Sequence, residues 1–219
     1  MLRTNGEIKK DIVDQLYWDS RVDAAEVNVD VQNGEVTLFG TVPTFFARQA
    51  AEQDAWAVGG VSEVENTINV AYRGPVPERE HLEEHIVNTL EWDPQIDAGN
   101  IMVSVDGGEV TLEGTVDAFW KKLRLHDMVQ DMSGVTRLID SVSVVPTEEV
   151  VDETVAGEVT EALRRNDHVN IDTIDVTVEN GHVTLTGSVQ TWVARNAAYE
   201  SAVLTYGVVD VDVNLAISS

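Results

Sequence analysis

His81 and His85 stand four residues apart in the segment His81-Leu82-Glu83-Glu84-His85. On a helix that spacing puts both imidazoles on one face, where they can hold zinc. A metalloprotease helix of this kind needs a glutamate directly after the first histidine, and Leu82 fills that place. The pair reads as two exposed histidines among acids; a metal-dependent enzyme using His81 and His85 is the outlying alternative. Asp210 and Asp212 alternate along a strand-like stretch and lack the Gly-centred twelve-residue loop that binds calcium. The chain has no cysteine, so thiol chemistry and Cys-ligated metal are excluded. No G-x-S-x-G elbow and no Walker A loop occurs. The expectation is a non-enzyme with no catalytic residues, no cofactor and no metal.

A second group of side chains bears on binding. Arg48, Lys122 and Arg195 occupy equivalent places, each early in a helical stretch where the helix dipole disfavours a cation. Their simplest partners are the acids of a preceding helix. Phe45, Phe119 and Trp192 stand just before the three cations and suit a staple at the helix entrance. Trp120-Lys121-Lys122-Leu123-Arg124 is the densest basic cluster in the chain and puts cations beside an aromatic, a pairing that can meet an anionic headgroup. Arg48, Trp120, Lys121, Lys122, Arg124 and Arg195 are therefore the candidate contacts for a ligand or partner.

The surrounding charge opposes two partner classes. With 39 acidic and 14 basic residues the net charge is −25, which excludes nonspecific nucleic-acid binding and disfavours anionic lipid. Only four of the basic residues are lysine, so the surface suits high salt or strong mutual repulsion. No run of 18 apolar residues is present, so no transmembrane segment is expected. The N-terminus passes into a helical pattern without an apolar stretch; as it stands the chain reads as cytoplasmic, and as periplasmic if a signal peptide has been removed.

The elements that position these residues repeat three times. Asn33-Gly34-Glu35-Val36-Thr37-Leu38-Phe39-Gly40 recurs as Gly107-Gly108-Glu109-Val110-Thr111-Leu112-Glu113-Gly114 and as Asn180-Gly181-His182-Val183-Thr184-Leu185-Thr186-Gly187. Gly60, Gly134 and Gly207 follow at equivalent places, each before a valine. The copies span 4–72, 78–146 and 149–219, joined by the short stiff connectors 73–77 and 145–148. They share the acid evenly, at −8, −9 and −9.

Within each copy an apolar stripe at i, i+4 and i+8 predicts a first helix: Ile8, Ile12, Leu16; Leu82, Ile86, Leu90; Val155, Val159, Leu163. Val27, Val29 and Val31 alternate with polar residues, which predicts a strand with one buried face. Asn33-Gly34 suits a type I′ turn, and a two-residue loop sets Val31 opposite Val36 and Val29 opposite Leu38. A second helix follows with Ala51, Ala55 and Val58 inward, ended by Gly59-Gly60, and then a last strand with Val64, Ile68 and Val70 inward. The outward face of the hairpin's second strand is rich in threonine, with Phe39 among Thr37 and Thr41. The fold class is α+β: three tandem αββαβ units, each a three-stranded mixed sheet with two helices on one face, the last strand parallel to the second. Strand order stays open.

These residues resemble the BON domain: Leu16-Tyr17-Trp18-Asp19, Val22-Asp23-Ala24, Gly34-x-Val36-Thr37-Leu38-x-Gly40-x-Val42 and Gly60-Val61, with Leu90-Glu91-Trp92-Asp93-Pro94, Ile96-Asp97-Ala98, Gly108, Gly114 and Gly134-Val135 in the second copy. The third keeps Gly181, Gly187 and Gly207 but has Arg165-Asn166 in place of the Trp-Asp pair. The resemblance implies a non-enzymatic stress- or osmotic-response binding module that holds a client protein, a lipid surface or a monovalent cation across its repeats. A phospholipid-binding envelope-integrity protein of the periplasm is the alternative, and self-association into a structural subunit is a further one.

Overall fold

The computed structural model describes residues 3–72, 74, 77–148 and 151–217. Arg73, Pro75 and Val76 of the first connector lie outside those residues, as does the start of the third copy at 149–150. The first repeat runs α1 (Asn5–Trp18), β1 (Val27–Gln32), β2 (Glu35–Val42), α2 (Phe45–Trp56), β3 (Glu63–Asn66) and β4 (Asn69–Val70). The second runs α3 (Arg79–Trp92), β5 (Ile101–Asp106), β6 (Glu109–Val116), α4 (Phe119–Gln130) and β7 (Arg137–Val144). The third runs α5 (Asp152–Arg164), β8 (Ile174–Glu179), β9 (His182–Val189), α6 (Trp192–Val203) and β10 (Asp210–Ile217). The order is αββαβ three times, with the last strand of the first repeat interrupted. By packing, the chain divides into two compact units, one of residues 1–88, 103–111 and 127–139, the other of 89–102, 112–126 and 140–219, so the division passes through the middle repeat.

Every stripe residue of the three first helices is buried. Thr4 starts α1 with a capping box: its hydroxyl accepts from the Glu7 N–H, and the Glu7 carboxylate accepts from the Thr4 N–H. Thr44 and Thr191 cap α2 and α6 by the hydroxyl alone, each accepting a backbone N–H, from Ala47 and Ala194, at 3.1 Å. The hairpin register is the expected one, with Val31 opposite Val36 and Val29 opposite Leu38. In the third repeat Val178 faces Val183 and Val176 faces Leu185.

The middle strand of each sheet is the hairpin's second, and it pairs antiparallel with the first and parallel with the last where β1–β2–β3 and β8–β9–β10 are concerned. The last strand is thus an edge. The glycines serve this geometry. At Gly40, whose φ is +131°, a Cβ would lie 2.0 Å from the Glu26 carbonyl oxygen, and Gly114 and Gly187 meet Asn100 and Thr173 at 2.0 and 2.1 Å. Gly34 packs on the loop glycine Gly60, whose carbonyl oxygen would sit 2.8 Å from an added Cβ.

One boundary differs from expectation. Helix α2 ends at Trp56 with Ala57 still in a right-handed conformation, and Gly60 reaches positive φ four residues later. Its turn aims the chain into β3 and against Gly34; it does not cap the helix. Val58 accordingly falls beyond the helix, half-buried against the core.

Candidate functional site

His81 and His85 both lie exposed on α3. Among the described residues no group of three or more His, Asp or Glu side chains is placed to hold a metal ion. Asp210 stands 3.7 Å from the Nδ1 of His182 on the neighbouring strand, and one of its oxygens accepts the Val211 N–H.

The aligned cations reach the last strand, where charge alone pointed to the first helix. Arg48 donates from Nη2 to the Asn66 carbonyl at 3.0 Å, and Arg195 donates likewise to the Val213 carbonyl at 3.1 Å. Lys122 stands 3.9 Å from Asp140, the residue equivalent to Asn66. Edge geometry explains the target. Thr67 and Ala71 donate their N–H groups to Leu38 and Val42 on the middle strand. Direction alternates along a strand, so the peptide groups of Asn66 and Ile68 face outward, where no strand among the described residues answers them. Arg48 satisfies the Asn66 carbonyl, and the Asn66 side chain accepts the Ile68 N–H at 3.2 Å. Asp140 accepts the Val142 N–H at 2.9 Å in the middle repeat. Burial pulls the Arg195 guanidinium below its ordinary pKa, which marks how far this cation sits inside the fold.

The remaining basic candidates are also engaged within the chain. Lys121 pairs with Asp117 at 2.7 Å and lies over the Trp120 ring. Arg124 pairs with Asp93 at 2.5 Å. Trp120, Leu123 and Val144 pack against the hydrophobic cluster of the third repeat, of which Phe119 is itself a buried member with Val155, Val159 and Leu185. Phe45 packs, half-buried, on the core of its own repeat.

Two features were not read from the spacing. The first is the corner after each first helix, at the aligned residues Asp19, Asp93 and Asn166. Each accepts the backbone N–H two residues on, at 2.8 to 3.1 Å, and so closes an Asx turn. Each also faces the second helix, with a different solution. Asp93 meets Arg124; the Gln95 N–H and this guanidinium hold its carboxyl below the usual range. Asn166 donates to Ser201 at 3.1 Å. Asp19, chelated by the Arg21 guanidinium and held low by it, faces Asp54. The second feature is exposure: Trp18 and Trp92, at equivalent places on α1 and α3, are 82% and 86% exposed. Tyr17, itself exposed, meets the Trp18 ring edge-on at 5.4 Å.

Among the described residues no helix is long and apolar enough to cross a membrane. Comparison with curated proteins finds no match. Among solved structures, the C-terminal domain of CdsD, a structural protein of the type III secretion system of Chlamydia trachomatis, is 14% identical, with 96% of each chain covered and a TM-score of 0.29. The periplasmic domain of the type III secretion inner-membrane protein PrgH from S. typhimurium is also 14% identical, with 89% of this chain and 95% of that one covered and a TM-score of 0.22. The family model of the BON domain matches residues 4–72, 79–146 and 151–219. The recurring hairpin glycines, the αββαβ order and the Asx corner are thus shared by three tandem copies, and the chain belongs to the BON domain family.

Proposed function

We propose that the protein is a non-enzymatic binding module whose contact points are the exposed tryptophans Trp18 and Trp92, and that its partner is a protein. The carrying observation is their exposure. A Trp left in water forgoes a large apolar burial that a partner can supply, and such residues dominate protein interfaces. Both stand at the end of a first helix, with no part in the stripes that build the cores. The basic candidates are weaker contacts, because each is already engaged by a group of the chain itself. Two equivalent points on one chain raise avidity for any partner that engages both. A net charge of −25 favours a cationic protein surface over an anionic membrane.

The experiment compares the wild-type chain with the Trp18→Ser, Trp92→Ser double variant in two arms. Partners cross-linked in cell extract should be lost from the double variant at unchanged thermal midpoint. Sedimentation with vesicles of phosphatidylglycerol should show no binding by either protein. Strong vesicle binding that the double variant loses would replace the protein partner with a lipid surface, and identical cross-linking by both proteins would remove the tryptophans from the site.

A further inference from the structure

Asp54 projects from α2 at a position that belongs to the buried side of that helix, between Ala51 and Ala55. It is only 4% exposed, and its Oδ2 is buried with no hydrogen-bond partner. Its Oδ1 accepts from the Gln15 amide of α1 at 3.3 Å. The Asp19 carboxyl, at the C-terminal cap of α1, acts on Asp54 as a neighbouring negative charge. Among the described residues the cation that acts on both carboxyls is Arg21, and it is committed to Asp19 with both Nε and Nη2. Its Nη1 donates to Gln53. An isolated buried carboxylate oxygen beside a second carboxylate is costly twice over, through desolvation and through like-charge repulsion.

The other two repeats show what this corner is for. Asp93 is joined to the second helix by an Arg124 ion pair, and Asn166 by a neutral hydrogen bond to Ser201. Ser201 and Asp54 are equivalent positions. The second and third repeats thus tie the end of the first helix to the second helix, and the first repeat places two acids at the same junction.

We propose that Asp54 and Asp19 share one proton, carried on the otherwise orphaned Oδ2 of Asp54 and donated to the Asp19 carboxylate, so that the first repeat has a proton-held clasp between α1 and α2. Gln15 from α1, Asp19 and Arg21 from the turn, and Asp54 from α2 make up its charged and polar surroundings. Burial, with the Asp19 charge adding to it, raises the Asp54 carboxyl above the usual aspartate range. Arg21 holds Asp19 below it, so the proton resides on Asp54. The folded state keeps a proton that the unfolded chain releases near pH ~4. The clasp's contribution is therefore largest at acid pH and declines as pH rises through the folded-state value of Asp54. The first repeat becomes the one that loosens with alkalinity.

The test follows side-chain carboxyl carbon shifts by NMR in the full chain, together with melting midpoints from pH 4 to 9. Asp54 should titrate above the ordinary aspartate range and Asp19 below it. The Asp54→Ser variant, which installs the third repeat's solution, and Asp54→Asn should both flatten the fall in midpoint with rising pH. Titration of Asp54 at or below the ordinary value overturns the proposal. So do wild-type and variant midpoints that run parallel over the whole range.

Discussion

Replacing Arg48 by Met tests the edge-strand reading directly. Met keeps the aliphatic stem of the arginine over α2 and removes only the guanidinium, which donates to the Asn66 carbonyl at 3.0 Å. Hydrogen bonds from charged donors contribute about 1.5–3 kcal/mol. This one is half-buried, and water can reach a carbonyl at a sheet edge, so the lower end of that range applies. We expect a loss of about 1.5–2 kcal/mol in the first repeat, which at the entropy of a unit this size lowers its midpoint by roughly 6–16 °C. The Asn66 amide, which donates to the Arg48 carbonyl and to Glu52, remains in place and keeps the strand on the helix. Denaturant titration followed by amide exchange at Ile68 and Ala71 localises the effect: exchange should rise at the edge and stay slow in β2. A stability change under about 0.3 kcal/mol, within the ordinary scatter of surface substitutions, would show that the carbonyl needs no such donor.

Leu90→Ala removes a side chain that is 1% exposed and should cost ~2–5 kcal/mol, read by denaturant titration; under half a kcal/mol would take Leu90 out of the core. Asp93 is held below its usual range by the Gln95 N–H and Arg124, so its contribution is present above the unfolded value and disappears as pH falls through the folded one. The acid limb of the melting curve should therefore flatten in Asp93→Asn, the opposite slope from Asp54. Screening across a Debye length that shrinks from ~10 Å at 0.1 M salt to ~3 Å at 1 M should raise the midpoint of a chain with a net charge of −25. Sodium and potassium chloride should act alike, and an unchanged midpoint would mean that self-repulsion is negligible.

Much of this architecture is written in local spacing. The stripe of Ile8, Ile12 and Leu16 and the alternation around Asn33-Gly34 depend only on helix pitch, strand pleat and turn sterics, so burial and register follow from neighbours in sequence. The partner of Arg48 does not. Strand order decides that Asn66 has an outward carbonyl, and no periodicity encodes which strand is the edge. The end of α2 escapes local spacing for a related reason: Gly60 is fixed by its approach to Gly34, a contact between distant segments. The burial of Phe119 in the third repeat's cluster is likewise set by tertiary packing alone. Asp54 left a readable trace, an acid interrupting the inward positions 47, 50, 51 and 55 of α2. The exposure of Trp18 and Trp92 left none, because both follow the stripe at the point where a helix end decides which way a ring turns.

The guarded last strand has a consequence for synthesis. Three copies that share a hairpin motif emerge from the ribosome in succession, tethered at high local concentration. A strand of one copy pairing with an unfinished neighbour is the characteristic failure of tandem repeats. The outward peptide groups of Asn66 and Ile68 would be the place for that error to begin. A guanidinium supplied by the helix that immediately precedes the strand answers the Asn66 carbonyl from within the same copy, before the next copy is made. The residues at 48, 122 and 195 put a cationic group beside the last strand of each copy, supplied in each case by that copy's own second helix.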